Sequence, residues 1–500
     1  MKSKSLWASS LGLGLAALTC YADDSATVEK LHQQLQQMQE NFNRTVREQQ
    51  SQIEVLKKQL DEVQRKQGNP SDATAPGVQT NPANASTQPL GPTARSWSPT
   101  DPIRIGGRSA FVDISLVGTF AAGTSTAHDI EGGTQLGGHD PNQRGFTVQG
   151  VELNLQGAVD PYFRGNANIL FSVDSGGESF IELEEAWLET VSLPANLQLR
   201  AGQYLTEFGR LNTQHPHTWG FVDTSLVNSR LLGGDGVRNP GIRLSWLVPT
   251  PFYSELYFGA QNSQGETAHS FRSDHEGEPF LGRVWNDRGV HSLGDMLYTA
   301  RYAMSFDLSD NQTLLGGIST LLGPNGAGRN TDTQIYGADV YWKWKPPTAH
   351  AGFPFVSLQT EAMLRRLQAG AFSNDFDGSG MLDAGEDLFG DGLIHNSPRE
   401  MLTDWGIYSQ FLYGFRKGWV AGLRGDYVGR TKSASYEMAH GDDPARLGRW
   451  RVSPNLTWYP SEFSKIRLQY NYDAREKTGV DHAIWLQFEL LLGAHTAHKF

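Results

Sequence analysis

Residues 465–473 read KIRLQYNYD, a stretch in which polar and apolar or aromatic residues alternate. One set of alternate positions is apolar or aromatic and the other is polar or charged: Ile466, Leu468, Tyr470 and Tyr472 against Lys465, Arg467, Gln469, Asn471 and Asp473. Because successive side chains of a β-strand point to opposite faces, this pattern predicts a strand with one apolar face and one polar face. A soluble sandwich alternates in the same way, so the neighbouring segments must decide the architecture.

The same period recurs throughout residues 103–500. It predicts sixteen strands, near 109–122, 145–158, 162–174, 179–190, 196–206, 241–249, 252–264, 294–307, 312–323, 332–345, 353–369, 400–415, 418–430, 447–459, 463–475 and 482–492. Connections after even-numbered strands are tight, whereas those after odd-numbered strands are mostly long, as in 207–240, 265–293, 370–399 and 431–446. Aromatic residues gather near strand ends. These features predict an all-β fold, a 16-stranded antiparallel transmembrane β-barrel in contact with outer-membrane lipid.

The first 22 residues indicate export. Lys2 and Lys4 precede an apolar run over residues 6–18, and a small-residue cleavage site ends at Ala22, so residues 1–22 are predicted to be a signal peptide. A lipoprotein centred on Cys20 is the alternative, although Thr19 suits it poorly. Cys20 is the only cysteine, so the mature chain would have neither disulfides nor thiolate metal sites. These features suit the outer membrane of a Gram-negative cell.

Residues 23–67 have a helical pattern. Apolar side chains follow a spacing of three and four with one extra four-residue step: Val28, Leu31, Leu35, Met38, Phe42, Val46, Ile53, Leu56, Leu60 and Val63. This pattern predicts an N-terminal α-helical coiled coil, a periplasmic arm that requires partner helices and so indicates an oligomer. A single charged helix, or one lying on another surface, is the alternative. Residues 68–102 are rich in Pro, Ala, Ser, Thr and Asn and predict a disordered linker.

Composition excludes some functions. The net charge of −12 argues against a nucleic-acid partner. After the signal peptide, no apolar run approaches the roughly 20 residues of a spanning helix. We find no G-x-S-x-G, HExxH, G-x-x-x-x-G-K-[ST] or G-x-G-x-x-G motif, and SDN at 309–311 stands in a predicted tight turn. The chain is therefore expected not to be an enzyme; an outer-membrane hydrolase and a structural tether without transport remain alternatives.

Residues 181–217 carry a family resemblance. IELEEAWLET at 181–190 and LPANLQLRAGQYLTEFGRLNTQHPH at 193–217 pair a Glu-Glu-Ala strand with a strand ending in Gly-Gln-Tyr, followed by Phe-Gly-Arg. With the strand pattern of residues 103–500, this resembles the phosphate-selective porin O and P family. The resemblance implies a 16-stranded barrel, usually trimeric, with the loop after the fifth strand folded inward to narrow the pore. The predicted 207–240 connection occupies that place.

Charged residues suggest how such a channel would discriminate between ions or solutes. The 207–240 loop carries candidates for a pore constriction of the ring-of-charge type: Arg210, His215, His217, Asp223, Arg230, Asp235 and Arg238. The alternative is that they only solvate an outer loop. Predicted lumen positions carry both signs: Arg164, Arg200, Arg243, Arg301, Arg424, Arg451 and Arg467, against Glu152, Glu182, Glu184, Glu255, Asp339, Asp426 and Glu489. Facing charges of both signs create a transverse field rather than an anion ladder. We therefore expect passive diffusion of small hydrophilic solutes or ions.

The stretch DFDGSGMLDAGE at 375–386 has the spacing of an EF-hand loop, with Gly380 at its sharp turn. The predicted Ca²⁺ ligands are Asp375, Asp377, Ser379 and Glu386 by side chain, Met381 by carbonyl and Asp383 through water. No helical periodicity flanks the loop, so a structural clip is expected rather than a sensor. A solvated Asp/Gly loop is the alternative.

Histidines gather in the predicted outer loops, where ten of the fourteen lie: His128, His139, His215, His217, His269, His275, His291, His395, His440 and His482. Neutral imidazole binds zinc, copper or nickel. The pattern suggests that the channel mouth collects divalent metal such as Zn²⁺. Polar loops without metal are the alternative.

Overall fold

The computed structural model of this chain describes residues 103–107, 110–158, 160–191, 193–272, 279–286, 289–383, 385–388, 390, 392–431 and 446–493. The predicted signal peptide, coiled-coil arm and linker lie outside these ranges, as do His275 and His440. Within the described ranges, no helix has the length and apolar character needed to cross a membrane.

Strands dominate the described chain. In order they are β1 (Ile103–Gly106), β2 (Phe111–Ser125), β3 (Gly145–Ala158), β4 (Phe163–Val173), β5 (Ser179–Thr190), β6 (Leu197–Leu205), β7 (Arg238–Leu247), β8 (Tyr253–Asn262), β9 (Pro279–Phe280), β10 (Arg283–Val284), β11 (Met296–Ser309), β12 (Gln312–Pro324), β13 (Asp332–Trp344), β14 (Phe355–Ala369), β15 (Phe372–Ser373), β16 (Asn396–Ser397), β17 (Glu400–Arg416), β18 (Trp419–Thr431), β19 (Arg449–Ser461), β20 (Ser464–Arg475) and β21 (Gly479–Leu492). One α-helix, α1 (Leu226–Leu232), and five short 3₁₀ turns complete the described elements: Pro194–Asn196, Leu211–Thr213, Pro216–Thr218, Glu266–Ala268 and Leu293–Asp295.

Sixteen long strands close into a single antiparallel barrel. Each pairs with the next long strand along the chain, so β8 pairs directly with β11 and β14 with β17. The first and last long strands also pair, from Leu116 opposite Leu492 to Ser125 opposite Ala483. Closure leaves no long strand with an unpaired edge, which satisfies the backbone hydrogen bonds without water. The predicted 16-stranded antiparallel barrel is confirmed.

Two strands begin earlier than the sequence pattern indicates. Arg238, predicted to lie in the 207–240 loop, is the first residue of β7 and pairs with Leu205. His482, predicted to lie in an outer loop, is inside β21, because the turn from β20 is tight and Arg475 pairs with Gly479. Both predictions were wrong for the same reason: strand pairing continues past the point where the alternating pattern fades.

The barrel is apolar outside and charged inside. In β20 the side chains of Lys465, Arg467, Gln469, Asn471 and Asp473 are buried, whereas Leu468 and Tyr470 are exposed. This is the inverse of a soluble protein's polarity, and it is the pattern that lipid outside and polar contents inside require.

Aromatic side chains occur towards both ends of the strands. Trp405 packs against Tyr427 with ring centroids 4.9 Å apart, near the ends joined by long connections. Trp419 stacks on Trp458 at 5.8 Å, near the tight turns. Such rings, with an apolar body and a polar edge, suit the two boundaries of a lipid bilayer.

The connection from β6 to β7, residues 206–237, passes through the barrel interior and is called here the inner segment. Its apolar residues Phe208, Leu226, Val227, Leu231 and Leu232 are almost completely buried. They pack against inward-facing apolar residues of the wall: Leu297, Leu321, Ile335, Met363, Tyr408 and Val428. Burying each of these large side chains contributes roughly 1.5–3 kcal/mol, so the barrel has an internal hydrophobic core on one side.

Candidate functional site

Helix α1 lies inside the barrel and begins and ends with clear capping signals. The Ser225 side chain accepts a hydrogen bond from the Asn228 amide at 3.3 Å, which caps the first turn. Gly233 follows the last turn with φ of +101°, a conformation that favours glycine. The amide of Leu226 donates to Asp426 of β18 at 3.1 Å, which attaches the helix start to the wall. The helix is therefore held at its N-terminus by a wall carboxylate and along its side by apolar packing.

Backbone groups of the inner segment are bound by wall side chains on several strands. The amide of Leu211 donates to Glu361 of β14 at 2.7 Å. On β19 and β20, inward-facing bases and an amide donate to carbonyl oxygens of the segment: Lys465 to His217 (2.8 Å), Arg467 to Trp219 (2.9 Å) and Asn455 to Gly220 (2.9 Å). Buried backbone polar groups need partners, and here the wall supplies them, so the path of the segment follows the charges of the wall.

Asp223 is the strongest anchor of the inner segment. Its carboxylate is buried and accepts from four side chains: Arg424 (2.8 Å), Arg451 (2.8 Å), Gln469 (2.7 Å) and Asn471 (2.7 Å). Burial raises the pKa of Asp223, but the two guanidinium groups and the two amides outweigh that effect and the pKa is lowered. Asp223 is therefore ionised and holds the segment to β18, β19 and β20.

A second group of charges lies on the wall formed by β3, β4 and β5. We call it the acidic–histidine cluster: Glu152, Glu184, Glu185, His139, His215 and His217. His215 Nε2 is 3.1 Å from Glu185, His217 Nδ1 is 3.0 Å from Glu152, and His139 Nε2 is 3.2 Å from Glu184. Arg238 pairs with Glu182 and Glu184, and Asp235 is 3.6 Å from His139. Four predicted constriction residues, His215, His217, Asp235 and Arg238, are thus brought together here.

The carboxylates of this cluster change the titration of its histidines. Burial lowers the pKa of His139, but the hydrogen bond and charge of Glu184 outweigh it and the pKa is raised to about 9. Burial also lowers the pKa of His215, and hydrogen bonds to Glu184 and Glu185 raise it well above its usual value. Both rings are therefore positively charged at neutral pH.

The two other predicted constriction residues lie elsewhere in the interior. Arg210 donates to Gln359 of β14 at 3.0 Å, and its guanidinium is 4.1 Å from the centre of the Tyr341 ring. Arg230, at the end of α1, donates to the carbonyl of Leu447 at 2.6 Å. The seven predicted residues are thus distributed around the interior, each beside a partner on the wall or a neighbouring loop.

The predicted lumen residues lie on the inner wall, and most are paired with acids. Glu189 accepts hydrogen bonds from Arg164, Arg200 and Arg243. Arg301 forms a two-bonded pair with Asp339, at 2.6 and 3.0 Å. Arg424 and Arg451 share Asp223 and also contact Asp426 and Asp473, respectively. Arg467 binds neutral groups, Thr457 and Gln487. The interior is therefore a field of both signs rather than an unopposed row of bases.

The 375–386 loop brings three of the six predicted calcium ligands together. Oxygen atoms of Asp375, Asp377 and Glu386 lie within 4.8 Å of one another. Asp375 and Asp377 accept from the Ser379 amide at 3.0 and 2.9 Å, and Gly380 has φ of +75°. The Ser379 hydroxyl donates to the Met381 carbonyl at 3.1 Å, and Asp383 approaches the group through its amide, which donates to Glu386 at 2.9 Å.

The predicted outer-loop histidines do not form one group. His139, His215 and His217 meet in the acidic–histidine cluster inside the barrel. The other described histidines are elsewhere; His482, for example, is 2.6 Å from the Tyr470 hydroxyl. Asn168 and Glu185 at this cluster were missed among the site residues. Asn168 could have been found from the alternation of β4, and Glu185 from its position next to Glu184. Glu185 departs from the strict alternation of β5 because β4 and β5 shift register at Asn168 and Ile169.

The fold and interior define the class of this protein: a closed sixteen-stranded antiparallel barrel crossed by a long inner segment. No family model matches the chain. An uncharacterized protein of Aquifex aeolicus (strain VF5) is 30% identical over 385 residues, covering 73% of each chain. The chain belongs to the same family as this Aquifex protein.

Two solved structures resemble the chain weakly. The outer membrane channel DcaP of Acinetobacter baumannii has a TM-score of 0.49 and 12% identity, covering 77% of this chain and 98% of that one. The anion-selective porin from Comamonas acidovorans has a TM-score of 0.44 and 7% identity, covering 76% and 100%. Similarity at this level does not support a conclusion about function. Such a conclusion has to rest on the structure of the barrel.

Proposed function

We propose that this protein is an outer-membrane channel for the passive diffusion of small hydrophilic solutes or ions. The observation that carries the proposal is a closed sixteen-stranded barrel with apolar residues outside and buried charges inside. A closed sheet of this polarity satisfies its backbone in lipid, and sixteen strands enclose more space than wall side chains can fill.

The inner segment is proposed to be the constriction of this channel. It contacts inward-facing groups of β3, β5, β14, β18, β19 and β20, so a solute crossing the barrel has to pass beside it. The acidic–histidine cluster lies on β3–β5, and a separate group of buried bases on β18 and β19 is paired with Asp223, Asp426 and Asp473. Charges of both signs in the interior support a transverse field, and most inner arginines already face an acid, which argues against selectivity for phosphate.

Conductance in planar bilayers tests the channel. Stepwise currents are expected after insertion of the full-length protein, and the reversal potential in a salt gradient gives the ion preference. A structural tether with a plugged barrel would insert without passing current, and that result would end the proposal. Cross-linking of the native protein tests the homotrimer, held by coiled coil and barrel, that the family resemblance implies and that partner helices at residues 23–67 would support.

We further propose that residues 375–386 bind one Ca²⁺ as a structural clip in an outer loop. Support comes from the clustered oxygens of Asp375, Asp377 and Glu386 and from the glycine turn at Gly380. Calorimetry should show one Ca²⁺ bound by the wild type and none by Asp375→Ala/Glu386→Ala. An equal heat of binding in both proteins would refute the clip. The collection of Zn²⁺ at the mouth by scattered histidines stays a prediction.

A further inference from the structure

The acidic–histidine cluster has the donor atoms of a metal site. One oxygen each of Glu152 and Glu184 and one ring nitrogen of His215 lie within 4.8 Å of one another. Glu152 and Glu184 are almost fully buried, at 4% and 1% exposure. Each donor comes from a different element, β3, β5 and the inner segment, so the group exists only when the segment is in place.

We propose that Glu152, Glu184 and His215 bind a divalent transition-metal cation, Zn²⁺ or a chemically similar ion, on the inner wall of the barrel. Without a cation the His215 ring is protonated, so metal binding has to release the proton of Nδ1, the nitrogen that faces Glu152 and Glu184. Two carboxylates and one neutral imidazole are then a donor set that Zn²⁺ accepts, with a further position open for water or solute. The nitrogen donor favours transition metals over Ca²⁺ and Mg²⁺, which prefer oxygen ligands. Glu185 binds the opposite ring nitrogen, Nε2, and so orients the imidazole, while His217, 3.0 Å from Glu152, is available as a further ligand.

The charge of this wall also favours a cation. Glu182 and Asp235 add two carboxylates to those of Glu152, Glu184 and Glu185. These five outnumber the three positive groups described above that pair with them, Arg238 and the protonated His139 and His215. Buried carboxylates are costly unless paired. A divalent ion bound between Glu152 and Glu184 would neutralise both.

Asn168 provides an independent indication. Its side chain is fully buried, and its amide nitrogen lies 2.5 Å from Glu184, 3.3 Å from Glu152 and 3.2 Å from His215 Nδ1. Its carbonyl oxygen has no hydrogen-bond partner among the described residues, which is uncommon for a buried polar atom. A half-turn of the amide would point this oxygen at the same three ligand atoms and offer the cation a neutral oxygen donor.

A small cavity adjoins the site. Its volume is about 30 Å³, enough for an ion or a water molecule; it is partly open to solvent and is lined by Glu184, His215, His139 and residues of the inner segment. The binding site itself is independent of transport; only the inference that the cation is cargo of the channel, or modulates it, rests on the proposed function.

Zinc titration of the full-length protein in detergent tests the site. By calorimetry, the wild type should bind one more Zn²⁺ per chain than Glu184→Gln/His215→Ala, or bind it at least about tenfold more tightly. His128→Ala removes an exposed outer-loop histidine and should behave like the wild type. Co²⁺ added in place of Zn²⁺ should give a visible absorption band that the double variant lacks.

Equal zinc stoichiometry and affinity in wild type and double variant would overturn the site. Heat-modifiable electrophoretic mobility checks that each variant forms the barrel; if the double variant does not, Glu152→Gln replaces it in the same comparison with the same two outcomes. Bilayer conductance separates the two proposals. Zinc binding without current refutes the channel but leaves the site, whereas current with unchanged zinc binding in the variant refutes the site but leaves the channel.

Discussion

Replacing Asp223 with alanine is expected to release the middle of the inner segment from the barrel wall. The carboxylate binds two guanidinium groups and two amides at 2.7–2.8 Å, and its side chain is fully buried. Removing one partner of a buried ion pair costs about 3–5 kcal/mol, because the remaining charge is left without compensation. Arg424 and Arg451 keep Asp426 and Asp473 as partners, so the lower end, about 3 kcal/mol, applies here.

Hydrogen exchange measures this release. If residues 219–232 open locally, a loss of about 3 kcal/mol speeds their exchange roughly a hundredfold, since every 1.4 kcal/mol is tenfold. Peptides that cover the wall strand β8, at 253–262, serve as the internal reference and should exchange as slowly as before. A rise in single-channel conductance or noise should accompany the change, because the released segment no longer holds one position in the interior.

Asp129→Ala is the matched control. It also removes an aspartate that binds an arginine, Arg475, through two contacts at 2.6 and 3.0 Å, but the Asp129 side chain is 54% exposed. An exposed pair is worth only about 0–1 kcal/mol. The anchoring role of Asp223 is refuted if exchange in 219–232 is unchanged in Asp223→Ala, or if the reference strand accelerates by the same factor.

Three further predictions follow from the structure. Glu189→Gln removes the carboxylate shared by three arginines, of which Arg243 keeps Glu207 as a partner. The reversal potential in a salt gradient should therefore shift towards anions, and no shift would place this group outside the ion path. Gly380→Val should weaken Ca²⁺ binding about tenfold, because the +75° φ of Gly380 costs another residue about 1–2 kcal/mol. As a control, Gly390 has a similar φ of +68° but lies outside the twelve-residue loop, so Gly390→Val should not change the Ca²⁺ affinity measured by calorimetry. Burial and the charge of Asp223 raise the pKa of Asp140 to about 7 from 3.8. The stabilising contribution of Asp140 is therefore complete below pH 3.8 and is lost as the pH rises through 7. The melting temperature of Asp140→Asn, relative to that of the wild type, should rise over that pH window, and a constant difference would contradict this prediction.

Much of the wall could be predicted from the sequence. The segments 145–158 and 179–190 coincide with β3 and β5 as observed. Local alternation suffices because a lipid-facing side chain and an inward-facing side chain differ sharply in polarity, so each strand carries its own signal. The calcium loop could also be located, since all its candidate ligands lie within twelve residues and glycine marks the turn; whether it binds Ca²⁺ stays a prediction.

The interior could not be predicted to the same degree. The sequence suggested an inward loop with charged residues, but not that Phe208, Leu226 and Leu231 would form a hydrophobic core with the wall. The apolar residues at inward positions of β11–β18 could not be recognised from the alternating pattern. That pattern shows that the two faces of a strand differ in polarity, but not which other part of the chain packs against each face.

By itself, then, the sequence determined where the long strands lie and which face of each is polar, and it located a candidate calcium loop, since these depend on neighbours along the chain. Only the tertiary structure decided that Asp223 meets side chains more than 200 positions away and that His215 meets Glu152 and Glu184. Such meetings depend on barrel closure, on the register of every strand pair and on the path of the inner segment. No single stretch of sequence contains them, because each results from the packing of the whole barrel.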